Sequence, residues 1–151
     1  MGTPRRTTIL SNIGTTLETI TTGNGYKTTV ATVEAVAKSF GDMGSGAKPF
    51  IGYAPVRERL AYQPFNDIEC TLSVTLLCHI AGNTQSDRAT KLNNLLDDVI
   101  AALAVDTTRG SVAISTTVTE AQTDEGSPDA GGFGSMLLNV DVRYLRTSSS
   151  S

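Results

Sequence analysis

Between residues 67 and 80 the chain reads DIECTLSVTLLCHI, with Ile68, Cys70, Leu72, Val74, Leu76, Cys78 and Ile80 at every second position. Successive side chains of an extended backbone point to opposite faces. A period of two therefore sets those residues on one surface and Asp67, Glu69, Thr71, Ser73 and Thr75 on the other. The spacing predicts a half-buried strand, and one-sided burial of this kind favours an antiparallel sheet with helices on its apolar side.

Two further stretches repeat the pattern near the end of the chain. SMLLNVDVRYL places Met136, Leu138, Val140, Val142 and Tyr144 on one face, and RGSVAISTTVTEAQ places Val112, Ile114 and Val118 on one face. These strands are expected to pair across the acidic, glycine-rich loop between them. Helical spacing occurs twice. Thr3 with Pro4 offers a helix start, Ile9, Ile13, Leu17 and Ile20 form its apolar stripe, and Gly23 is the expected stop. Gly14 and the many threonines weaken this helix, so its stability must come from packing. Thr84 with Asp87 resembles a capping box with Asp in place of Glu. The helix it begins is expected to run to about Val105, with Ala89, Leu92, Leu96, Val99, Ile100 and Leu103 as its apolar face.

The β-branched run from Tyr26 to Phe40 predicts a strand, residues 41–49 a loop, and FIGYAPV a short strand interrupted by Pro55. The element order is helix, strand, strand, strand, helix, strand, strand. The expected fold class is α+β, a mainly antiparallel β-sheet with two amphipathic helices packed on one face. A single domain is expected over residues 1–146, followed by a disordered Ser-rich tail at 147–151 with nothing to bury it.

A chain of 151 residues suits one domain, and with aromatics at 5% and no Trp the core must rest on Ile, Val and Leu. The net charge of −3 offers no electrostatic footprint for nucleic acid or acidic lipid, so sequence-specific nucleic-acid binding and membrane association are not expected. No apolar run of about 18 residues is present, and the first residues lack a signal-peptide core, so a soluble protein made in the cytosol is expected. Cys70 and Cys78 fall on one strand, about 26 Å apart when extended, which excludes a disulfide between them. They read as buried small hydrophobes in a reducing compartment.

Signals of catalysis fail on inspection. Residues 41–48 mimic a phosphate loop, but Ala47 stands where Lys is needed and Pro49 leads into a strand instead of a helix. His79 is the single histidine, on the polar face of its strand, and reads as an exposed or interface imidazole. Asp97 and Asp98 diverge by about 100° on their helix and are expected on a solvated or intersubunit face. Asp124, Glu125 and Asp129 lack the spacing of a calcium loop and read as a protein-contact loop. In the RER at 57–59, an extended backbone sends Arg57 and Arg59 to one side and Glu58 to the other. No catalytic residue, metal or cofactor is expected.

The initial amphipathic helix, the strand ending LLCHIAGNTQSD, the helix ATKLNNLLDDVIAAL and the closing DAGGFGSMLLNVDVRY together resemble the tail terminator proteins of long-tailed bacteriophages, the lambda U-like family. The matching closing residues are Asp124, Asp129, Gly131, Gly132, Phe133, Gly134, Ser135 and Tyr144. The likeness spans nearly the whole chain, with a Thr-rich first helix and a long 26–40 stretch as departures. It implies a homo-hexamer, a ring that caps the tail tube, stops tail elongation and offers a surface to the head–tail connector or head-closure protein. It also implies contact with sheath protein if the tail is contractile, and passage of the genome through the lumen. Assembly would take place in the host cytoplasm, and the final location would be the tail or neck of the virion. The partner-interface residues on this reading are Arg57, Glu58, Arg59, Asp124, Glu125, Asp129 and Phe133. Rival readings are a head-closure or connector adaptor of the phage neck, a small cytosolic enzyme using His79 with a carboxylate, and a small cytosolic ligand-binding domain.

Overall fold

The computed structural model describes residues 4–35, 49–64, 67–124 and 133–147. Helix α1 (Arg5–Glu18) begins after Pro4, which sits at the cap with an extended ψ of 141° and lends its carbonyl to Thr8 N. Ile9, Ile13 and Leu17 are buried along its inner stripe. The helix stops at Thr19, short of Gly23, and Ile20 is buried beyond its end. A short turn of 3₁₀ helix (Thr22–Asn24) follows, and Gly25 ends it at φ 92°, a left-handed conformation that glycine adopts without a Cβ penalty.

Of the strand expected over Tyr26–Phe40, the described residues 26–35 form only three residues of strand, β1 (Thr32–Glu34), and residues 36–48 lie outside the described segments. The reason lies in where the backbone donors go. Lys27 N donates to the Asp98 carboxylate at 3.0 Å and Val30 N to the Ile20 carbonyl at 3.0 Å, so neither joins a strand ladder. β-Branched residues favour a pleated surface only where one is available to pack against.

Strand β2 (Phe50–Tyr62) runs through Pro55, which is tolerated where a strand has a free outer side, and a bulge lies between Pro55 and Arg57. Strand β3 (Asp67–Ala81) shows the expected alternation, with Ile68 through Ile80 buried at every second place. Helix α2 (Gln85–Val105) opens where the Thr84 hydroxyl accepts from Asp87 N at 3.0 Å. Strands β4 (Ser115–Asp124) and β5 (Phe133–Thr147) pair antiparallel, as expected across the acidic loop. β5 extends one residue into the segment assigned to the tail, since Thr147 pairs with Asp67.

The sheet order is β1-β2-β3-β5-β4, antiparallel throughout except for the parallel β1–β2 pair at one edge. The chain has an α+β fold. Both helices cover the same sheet face, closing one core that joins Ile9, Ile13 and Leu17 of α1, Leu92, Leu95 and Val99 of α2, and the alternating residues of β3 and β5. α1 crosses β1 and β2, whereas α2 lies over β3, β5 and β4. The apolar face of α2 is turned from its expected position. Leu95 and Ala102 are buried, Leu96 is partly buried and Ile100 is exposed, because packing against the sheet decided between neighbouring apolar residues.

α1 packs on β2 closely enough that Gly14 has no room for a side chain: an added Cβ would stand 2.8 Å from Tyr53 Cζ. Alanine at a helix interior gains about 1 kcal/mol over glycine, yet forcing the tyrosine ring aside costs about 1 to 3 kcal/mol. Gly14→Ala is therefore expected to lower stability in the parent and to raise it in a Tyr53→Ala background. Urea unfolding of the four proteins in this cycle measures the reversal, and the same sign in both backgrounds would refute the contact.

Candidate functional site

The sheet face away from the helices is polar and carries a ladder of side-chain bonds. Ser73 Oγ donates to Asp141 Oδ1 at 2.9 Å, Thr75 Oγ1 to Asn139 Oδ1 at 3.3 Å, and Arg143 Nη2 to Glu69 Oε1 at 2.6 Å. Across it runs an open depression of about 490 Å³ lined by Arg57, Ser73, Glu120, Asn139 and Asp141 among others. Within it Ser73 and Asp141 satisfy one another, and Arg57 and Glu120 are exposed at its rim.

The sheet edges are less self-contained. β1 pairs with Phe50, Ile51 and Gly52 only, so among the described residues no strand covers the outer side of β2 from Tyr53 to Tyr62. Along that side Val56 is 62% exposed, Leu60 47% and Tyr62 73%. Among the described residues the outer side of β4 is likewise unpaired; Ile114 just before it is exposed, as are Ile100 and Val105 of α2, the helix that packs on β5, β3 and β4. Thr116 Oγ1 donates to the Thr107 carbonyl at 2.9 Å, which ties the link after α2 to the start of β4. Exposed apolar side chains thus lie at both edges of one sheet.

The expected contact residues distribute unevenly over this geometry. Arg57 and Arg59 are exposed on the polar face of β2. Glu58 turns to the helix side, where its carboxylate accepts from the Tyr144 hydroxyl at 2.6 Å and lies 3.9 Å from Arg6 Nη1. Burial, with the Glu58 carboxylate beside it, pushes the Tyr144 hydroxyl pKa well up. Glu58 therefore joins the interior and does not share a surface with its two arginine neighbours. Asp124 ends β4 opposite Ser135, and Phe133 begins β5 opposite Ala81. Asp124 and the arginine pair occupy opposite edges of the sheet. Glu125, Asp129, Gly131, Gly132 and the phosphate-loop look-alike at 41–48 lie outside the described residues.

The exposed reading of His79 is corrected. It is 4% exposed and its ring stacks on Phe50, with centroids 5.9 Å apart and planes at 24°. Asp97 is exposed and pairs with Lys27 Nζ at 2.9 Å, which raises the lysine pKa. Asp98, expected on the same solvated or intersubunit face, is buried and accepts from Lys27 N. The side-chain direction within a helix decides this: the step of about 100° between neighbours turns Asp98 with Val99 towards the interior and leaves Asp97 outside. Cys70 and Cys78 are free and buried, with the Cys78 thiol pushed up to about 12 by burial.

Among the described residues, no group of three or more metal-ligating side chains clusters, and no helix is long and apolar enough to cross a membrane. The exposed apolar residues of the edges were the part that sequence reasoning missed. Leu60 and Tyr62 share an alternation through β2 that Pro55 masked, and Ile100 counted as core.

Comparison of the chain with protein-family models and with curated proteins returns no match.

Proposed function

We propose that this chain is a phage structural protein whose copies form a hexameric ring that caps the tail tube, stops tail elongation and provides the surface for joining the head connector. The observation that supports association is exposed apolar side chains at both free sheet edges, Leu60 and Tyr62 on β2 and Ile114 at the start of β4. A contact between two different patches is heterologous, and it closes into a ring when its rotation divides the circle. The number six and the partners, a tail tube protein and a connector or head-closure protein, come from the resemblance in the closing stretch.

The mechanism is one of binding geometry. A ring seated on the last tube ring occupies the surface the next tube subunit would need, and its far side faces the connector. Six copies of a 15.9 kDa chain give a species near 95 kDa. The expected result is that mass in solution, or on isolated tail tubes, with ring-shaped particles in electron micrographs and tubes that no longer elongate. Binding to DNA-filled heads lacking tails in place of tubes would assign the chain to head closure. A monomer at every concentration that ignores both would end the reading.

A further inference from the structure

We propose that neighbouring copies join by antiparallel pairing of the outer edge of β2, over residues 54–59, with the outer edge of β4, over residues 115–120, so that one sheet continues into the next. This rests on the association proposed above and names the contact that makes it.

Strand direction comes first. β2 is antiparallel to β3, β3 to β5 and β5 to β4, so β2 and β4 run in opposite senses within one copy. A second copy displaced sideways in the same orientation brings its β4 alongside β2 as an antiparallel partner, the arrangement in which ladder bonds are perpendicular to the strands.

Level and length agree as well. The rows of the sheet connect Arg59 through Thr71 and Arg143 to Ser115, and Ala54 through Thr75 and Asn139 to Glu120. Both edges therefore span the same height over these rows; beyond them Gln122 to Asp124 stand level with Gly52 to Phe50, which β1 already covers, so the neighbour's β4 leaves the ladder after Glu120. β2 carries an extra residue at Val56 and β4 one at Thr119, so six residues on each strand cover the same five rows. The two bulges cancel, and pairing proceeds without a net slip. Bulges, Pro55 and charges ordinarily discourage an edge from pairing. Here the bulge at Val56 discourages any partner lacking the compensating one, while Pro55 withholds one ladder bond from every partner.

Side chains complete the match on both faces. On the helix side, Leu60 lies in the row of Cys70 and Tyr144, the level of exposed Ile114, whose N–H donates to the Arg143 carbonyl at 2.7 Å. Pairing would cover these two apolar residues with each other. On the polar face, Arg57 would stand opposite Thr117 and diagonal to exposed Glu120 of the next copy, a pairing of opposite charge across the new ladder.

Two sets of variants at these exposed positions test the contact, with circular dichroism confirming that each folds. Arg57→Glu and Glu120→Arg are each expected to weaken association by about tenfold, and the double reversal to restore it to within about threefold. In the Arg57→Cys/Thr117→Cys double variant the two cysteines of one chain lie three strand spacings apart, about 14 Å, beyond disulfide reach. Oxidation is expected to give a covalent ladder extending past the dimer, whereas either single variant stops at dimers. Native Cys70 and Cys78 are buried and stay out of the reaction. An oligomer that persists without a ladder and without reciprocal rescue would overturn this contact and leave the ring standing. A protein that stays monomeric with and without tail tubes would overturn both.

Discussion

Replacing Arg109 by Met is expected to lower the free energy of unfolding by about 3 kcal/mol, and the melting temperature by roughly 6 to 12 °C for a chain of this size. Arg109 is fully buried and sits at φ 50°, followed by Gly110 at 79° and Ser111 at 70°, in the turn between α2 and β4. Its guanidinium donates to the Leu103 carbonyl at 2.7 Å, to the Asp106 carbonyl, and to Thr16 Oγ1 of α1 at 3.1 Å. The last carbonyls of a helix have no partner inside it, so one arginine closes the end of α2 and fastens it to α1.

Two effects oppose each other at this position. Burial of the guanidinium is costly and pulls its pKa down from the ordinary arginine value, and Nε has no partner. Methionine removes that cost while keeping much of the volume, and buried charges have elsewhere been replaced this way without loss. It also leaves the buried Leu103 carbonyl and the part-buried Asp106 carbonyl without this donor, a loss of about 1 to 3 kcal/mol for a buried group and less for a partly exposed one, which decides the sign. Urea unfolding measures the difference. A Met variant as stable as the parent would mean that solvent or relaxed backbone satisfies those carbonyls. The turn retains a second brace, because the Asp106 carboxylate accepts from the Thr108 hydroxyl at 2.5 Å and from Gly110 N and Thr108 N, both at 2.9 Å, and these bonds lower its pKa.

Leu76→Ala is expected to cost about 3 to 4 kcal/mol, and the adjacent Leu77→Ala about 1 kcal/mol or less. Leu76 is fully buried on the helix side of β3, opposite Tyr53 on one neighbouring strand and Leu138 on the other. Leu77 points to the polar face and is only half-buried. Truncating Leu76 opens a cavity in a close-packed layer bounded by strand and helix, and the cavity adds to the lost transfer energy. Truncating Leu77 removes contacts that water partly replaces. Equal losses at the two positions, read from denaturant midpoints at unchanged slope, would show that the polar face is covered as fully as the other.

The amino-acid sequence by itself determined the two faces of β3 and β5, the existence of both helices and the Thr84 cap. Each of these is a local matter of period, chirality or a side chain reaching its own backbone. It also determined that Arg57 and Arg59 would share a side, which needs only an extended chain. What it left open involved partners distant along the chain. The reach of β1 depended on Asp98 and the Ile20 carbonyl capturing donors that β-branched residues would otherwise have given to a ladder. Glu58 went inward because Tyr144 was there to meet it, His79 was buried beside Phe50, and Ile100 was exposed because Leu95 and Ala102 took the inner positions. The edges had the least local signal of all. Pro55 read as the interruption of a short strand, but only the sheet order placed it on an edge, where a missing N–H leaves the ladder of the single chain intact, and only the shared rows set Leu60 level with Ile114. Period is a property of neighbours in sequence. An edge is a property of which strand comes last, and that is settled when the whole sheet has formed.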